Sequence, residues 1–231
     1  MKNSIITLYH GSERIIEKPV FGEGKRNNDY GLGFYCTENI GIAKEWAVAP
    51  QRDGYANRYV LDAEYLKVLN LGDENYTILN WIAVLLDHRL FSLSNPNVTR
   101  AKRYLIENFG INVNAFDLIR GYRADDSYFD FAQAFINNAI TVNQLAKAMY
   151  LGNLGEQVVL KSQFAFSCLS FVGYEDAKWL EYYDSREKRN SEANQAYLSI
   201  LQEDPKGLFI QDIIREGIKN DDARIPRNIC Q

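Results

Sequence analysis

The order of residues in this chain predicts an α+β fold with a split sheet, and three observations carry that expectation. Short β-rich runs such as SIITLY interleave with stretches of helical apolar spacing, which fits a single α+β domain. Two long helical stretches stand between the early and the late strands and read as an inserted layer. The stretch GKRNNDYGLGFYCT, Gly24 to Thr37, places three glycines ahead of an apolar-aromatic run. Such a cluster marks sharp turns or a close approach to the backbone.

In chain order, Ser4 to Tyr9 is β-rich and meets the turn signal HGS, which predicts a strand with His10 at its C-terminal end. Gly33 to Cys36 is a second short strand. Glu38 to Ala49 carries Ile42, Ala43, Trp46 and Ala47 at helical spacing, with Thr37 as N-cap and Pro50 as the stop. Arg58 to Asp62 and Tyr65 to Leu71 read as strands. Tyr76 to Leu93 is an amphipathic helix, and Val98 to Phe109 is a second, ended by Gly110. Phe116 to Ile119 returns to strand, Ser127 to Asn138 and Val142 to Met149 are helical, and Gln157 to Leu160 and Leu169 to Val172 are strands. Composition shifts after Gly173, which divides the chain into residues 1–174 and a helical C-terminal extension, 175–231, packed on them. Within the extension, Asp176 to Asp204 reads as one or two surface helices, LFIQDIIREGI as a last short helix, and NDDARIPRNICQ as a loose tail.

With 46% hydrophobic and 24% charged residues over 231 positions, the chain has the composition of an ordinary globular protein. Its 26 basic against 30 acidic residues, net charge −4, exclude a global field that would draw nucleic acid. Arg14, Lys25, Arg26, Arg120 and Arg123 could form a local basic rim, though scattered cations on such a surface usually serve only solvation. Three cysteines without CxxC spacing argue against a disulfide framework or zinc knuckle and for a reducing cytoplasm. The first residues lack a signal-peptide core, and no run of about 20 apolar residues occurs, so neither export by such a signal nor a membrane span is expected.

Taken singly, the chemistry-bearing residues have plain structural readings. A strand-end histidine such as His10 more often serves hydrogen bonding than catalysis, and His88 has no companion at ligand spacing, so no metal is expected. Asp125 and Asp126 read as helix-start residues, and Cys36 lacks a neighbouring base.

The order of three motifs changes that weighing. LYHGS (Leu8 to Ser12), YGLGFYCT (Tyr30 to Thr37) and GEQVVL (Gly155 to Leu160) resemble the strands that hold the histidine, the tyrosine and the glutamate in the ADP-ribosyltransferase superfamily of the His-Tyr-Glu type. From LYHGS through RGYRADD to SCLSFVG, the first three quarters of the chain is more closely similar to the bacterial DUF3990 family, which is grouped with these transferases. The resemblance implies a transferase-like split sheet over residues 1–174 and a cleft that takes NAD as substrate. His10 would then bond the adenosine-side ribose, with Ser12 beside it, and Gly11 would offer backbone groups to the carboxamide. Tyr35 would stack on the nicotinamide and Trp46 would close the other side of the ring. Glu156 would stabilise positive charge developing on the ribose. The DUF3990 pattern, however, carries glutamine at the position matching Gln157. Adjacent strand residues face opposite ways, so only one of Glu156 and Gln157 enters the cleft, and the reading taken is Glu156.

The activity so implied is NAD-dependent mono-ADP-ribosylation of a macromolecule, nucleic acid or protein, by an intracellular bacterial toxin or regulator, with a small antitoxin protein as partner. A NAD glycohydrolase and a non-catalytic nucleotide- or protein-binding module are the alternatives on the same fold.

Overall fold

The computed structural model describes residues 4–93, 95–124, 126–149, 151 and 156–227, without the side chains of 126 and 127. The helix-start roles expected of Asp125 and Asp126, and the positions of Gly155 and Cys230, lie outside the described residues. The fold is α+β and its strands form two sheets. The first has the order β1 (Ile5–Ser12), β3 (Gly54–Asp62), β7 (Leu169–Ala177) and is antiparallel throughout. The second runs β2 (Phe34–Cys36), β6 (Glu156–Leu160), β5 (Leu118–Tyr122), β4 (Val68–Asn70), with only β4 and β5 parallel. Tyr9 and Thr37 exchange backbone hydrogen bonds of 2.8 and 2.9 Å and join the sheets at one seam.

That bridge corrects two expectations. Thr37 is not the N-cap of α1 (Ile40–Ala47), because its backbone is committed to Tyr9; Asn39 caps instead, its side chain accepting from the Ile42 N–H at 3.2 Å. Nor is His10 at a strand end, since β1 stays paired with β3 as far as Ser12 opposite Tyr55.

The largest core lies between the second sheet and a layer formed by α2 (Ile78–His88), α3 (Pro96–Phe109), α4 (Asp126–Ile136), α5 (Val142–Ala148) and α8 (Ile210–Glu216). Amphipathicity is expected over Tyr76 to Leu93, yet α2 is shorter and every residue from Ile78 to Leu86 is buried. Helices cover one side and the sheet the other, so α2 has no solvent face. A second cluster, with Leu8, Cys36, Leu61 and Val158, fills the space between the sheets. Short α6 (Gln163–Ser167), which the sequence reading does not contain, starts on a Ser162 cap.

Beyond the sheets, Trp179–Ile200 forms one continuous helix, α7, where one or two are expected. The segment from Asn220 is no loose tail through Arg227: Thr77 bonds the Asn220 side chain, Ile225 is buried in the main core and Arg227 bridges to Thr77. No helix among the described residues is long and apolar enough to cross a membrane.

Candidate functional site

A cavity of about 730 Å³ opens where β1 meets β2 and β6 at the seam. Of the residues singled out in the sequence, His10, Tyr35, Trp46 and Gln157 line it; Gly11, Ser12 and Glu156 do not. They reach one place because β1 and β2 are bridged while β2 pairs with β6, Tyr35 lying opposite Val159.

His10 sits half-buried with Nδ1 2.7 Å from the Tyr35 carbonyl oxygen and its ring stacked 4.4 Å from Phe34. A carbonyl can only accept, so Nδ1 carries the proton and Nε2 presents a lone pair. Burial lowers the imidazole pKa, against the opposing pull of the Tyr35 carbonyl, which favours the neutral ring. Tyr35 donates its hydroxyl proton to the Gly31 carbonyl at 2.6 Å and accepts from the Tyr30 N–H at 3.1 Å. This pins the glycine turn, where Gly31 has φ 72° and a Cβ would fall 2.4 Å from His88 Cδ2. Burial raises the Tyr35 phenol, so it stays protonated.

Tyr30, in the turn that precedes β2, is fully buried. Its hydroxyl donates to the Tyr122 carbonyl at 2.7 Å and accepts from Trp81 Nε1 at 3.0 Å. At Gly11 the missing side chain makes room for α1, since a Cβ would stand 1.9 Å from the Ala43 carbonyl oxygen. Tyr9 turns its polar backbone groups to Thr37, so by two-residue alternation those of Gly11 face the same seam. Ser12 is spent locally, bonding the Arg14 carbonyl and accepting from Asn57.

The register sets the two adjacent candidates on opposite faces of β6. Gln157 is buried in the cavity wall, while Glu156 lies on the reverse face, 3.5 Å from Arg120, which also pairs with Glu38. The Gln157 Nε2 donates to Asp29 Oδ2 at 2.7 Å and to the Tyr122 carbonyl at 3.1 Å.

Sequence reasoning missed Asp29 entirely. This buried carboxylate lines the cavity and also accepts from the Ala124 N–H at 2.9 Å and from Arg89 at 3.3 Å. Burial raises its pKa, opposed by those hydrogen bonds and by the charges of Arg89 and Arg123. Asn57 was missed too: it fastens the chain after β1, donating to the carbonyls of His10 and Arg14 and accepting from the Ile16 N–H at 2.8 Å. Of the cations considered for a basic rim, Arg14 and Arg123 line the cavity, joined by Lys18 and Arg89. The Arg123 guanidinium lies 4.8 Å from the centre of the Trp46 ring, and the Trp46 Nε1 is buried without a hydrogen-bond partner among the described residues.

The site therefore combines a neutral histidine acceptor, aromatic walls, a buried amide–carboxylate pair and several cations. A family model described as a protein of unknown function (DUF3990) matches residues 6–171. No curated protein and no solved structure matches the chain.

Proposed function

We propose, for a chain that belongs to the DUF3990 family, that the cavity binds NAD and that the protein transfers ADP-ribose from it to a macromolecular acceptor. The observation that carries this reading is the meeting of His10, Tyr35 and Gln157, from three strands of two sheets, at one cavity. The volume lies within the roughly 300–1,000 Å³ of small-molecule sites. Arg14, Lys18, Arg89 and Arg123 supply positive charge suited to a diphosphate, and the Nε2 lone pair of His10 suits a sugar hydroxyl. In the reaction proposed, the bond from the ribose anomeric carbon to nicotinamide breaks with its electron pair leaving on the ring nitrogen. An acceptor atom bonds that carbon and gives up its proton to solvent. The chain's contribution is to hold both ends of the dinucleotide and to place polar groups where positive charge develops.

One observation favours a second reading, a binding module without turnover: glutamine, and not glutamate, occupies the cavity position on β6. A single experiment separates the two. NAD at millimolar concentration should raise the melting temperature, and at 100 times its dissociation constant it stabilises by about 2.7 kcal/mol. Nicotinamide release with and without cell lysate then reads turnover. Stabilisation without release favours the module, and an unchanged melting curve overturns the NAD reading.

A further inference from the structure

We infer that Asp29 is the functional carboxylate of this site, acting through Gln157: it fixes the side-chain amide so that its oxygen meets the ligand, and it places a negative charge behind that oxygen. The inference rests on the NAD reading above and adds to it the residue that does the work expected of a glutamate on β6.

The geometry is specific. A primary amide has two N–H donors and one oxygen. Both Gln157 donors are used, one by Asp29 Oδ2 at 2.7 Å and one by the Tyr122 carbonyl at 3.1 Å. The flipped amide would set its oxygen against a carboxylate and a carbonyl, two acceptors, so the orientation is forced and Oε1 is left for a ligand in the cavity. Asp29 is itself held from two sides, by the Ala124 N–H at 2.9 Å and by Arg89 at 3.3 Å, which favours its ionised form in a buried place. Burial works against ionisation there, and the charges of Arg89 and Arg123 work for it. A hydrogen bond from an amide to an anion polarises the amide and makes its oxygen a better acceptor. In this way the cavity wall presents a neutral side chain backed by negative charge.

Oxidised NAD carries a positive nicotinamide ring, whereas the dihydronicotinamide of NADH is neutral and otherwise alike in shape. A charge a few ångströms away, partly shielded by Arg89 and Arg123, is expected to favour the oxidised form by about tenfold. Loss of packing would weaken both forms together, so the ratio of the two dissociation constants reports charge and not general integrity. The test titrates NAD and NADH into the wild type, Asp29→Asn and Gln157→Leu by calorimetry at pH 7. The expected result is a wild-type preference of about tenfold that falls to within about twofold in Asp29→Asn, whereas Gln157→Leu, which keeps the Asp29 charge but removes the amide oxygen, weakens binding of both forms. Equal binding of the two forms by the wild type overturns the inference without need of any variant, as does an Asp29→Asn protein that keeps the wild-type ratio. Should Asp29→Asn fail to fold, the wild-type ratio decides alone. If the wild type binds neither nucleotide, the NAD reading falls and this inference falls with it. If it binds both but Asp29→Asn does not change the ratio, the NAD reading stands and the role of Asp29 is refuted.

Discussion

His10 shows how one side chain ties the site to stability. Its folded pKa lies below the ordinary 6.5 because burial penalises the imidazolium. The unfolded chain thus binds a proton more readily than the folded one, and the contribution of His10 is fully present above pH 6.5 and is lost as pH falls through the depressed folded value. The difference in unfolding free energy between the wild type and His10→Asn, which keeps a donor for the Tyr35 carbonyl but does not titrate, should therefore shrink below pH 6.5; urea titrations at several pH values measure it. The two tyrosines of the glycine-rich stretch divide their effects. Tyr30→Ala removes a fully buried ring and a hydroxyl shared by Trp81 and Tyr122, so it should lower stability by about 3–5 kcal/mol. Tyr35→Ala, on the cavity wall, should chiefly weaken NAD binding, by about 0.5–1.5 kcal/mol of lost stacking. Calorimetric titration beside chemical denaturation reads both.

At the scale of elements, α1 is the hinge of the arrangement, pressed against β1 at Gly11 and tied to α7 through Glu45 and Arg189, whose side chains are 11% and 14% exposed. Gly11→Ala would drive a methyl into the α1 backbone, which must shift, and overpacking of this kind costs about 1–3 kcal/mol. Glu45→Ala would leave the Arg189 guanidinium mostly buried without its carboxylate. A loss of about 3–5 kcal/mol is expected, and a much smaller effect for Lys178→Ala, whose pair with Asp53 is exposed. Equal effects in guanidinium denaturation would show that the α1–α7 pair is solvated. The elements themselves were largely legible. Helical spacing located α1, α3 and α5, and β-rich runs located β1, β2 and β6, because these signals are local. Their ends were less so: the Tyr9–Thr37 bridge moved the cap of α1, and pairing with β3 carried β1 to Ser12.

For the whole molecule, no described residue after Gln157 lines the cavity, yet the last quarter of the chain belongs to the core. β7 runs on to Ala177, and Ile200, Ile210, Ile213, Ile218 and Ile225 are buried among the helices over the second sheet. A chain cut after Tyr174 should therefore lose cooperative thermal unfolding although every cavity residue is retained; a sharp transition in the truncated protein would make 175–231 an independent appendage. The sequence by itself determined the α+β class, the three motif strands and the rough extent of most helices, since propensity and periodicity are written over a few consecutive residues. Only the tertiary structure decided which of Glu156 and Gln157 faces the cavity, because that choice follows from how β6 registers with β5 and β2. It alone found Asp29, whose partners Arg89, Ala124 and Gln157 lie 60, 95 and 128 positions away. No local pattern can encode such a meeting: a buried carboxylate is stabilised by donors that the fold brings to it, and before folding Asp29 is one more polar residue in a glycine-rich turn.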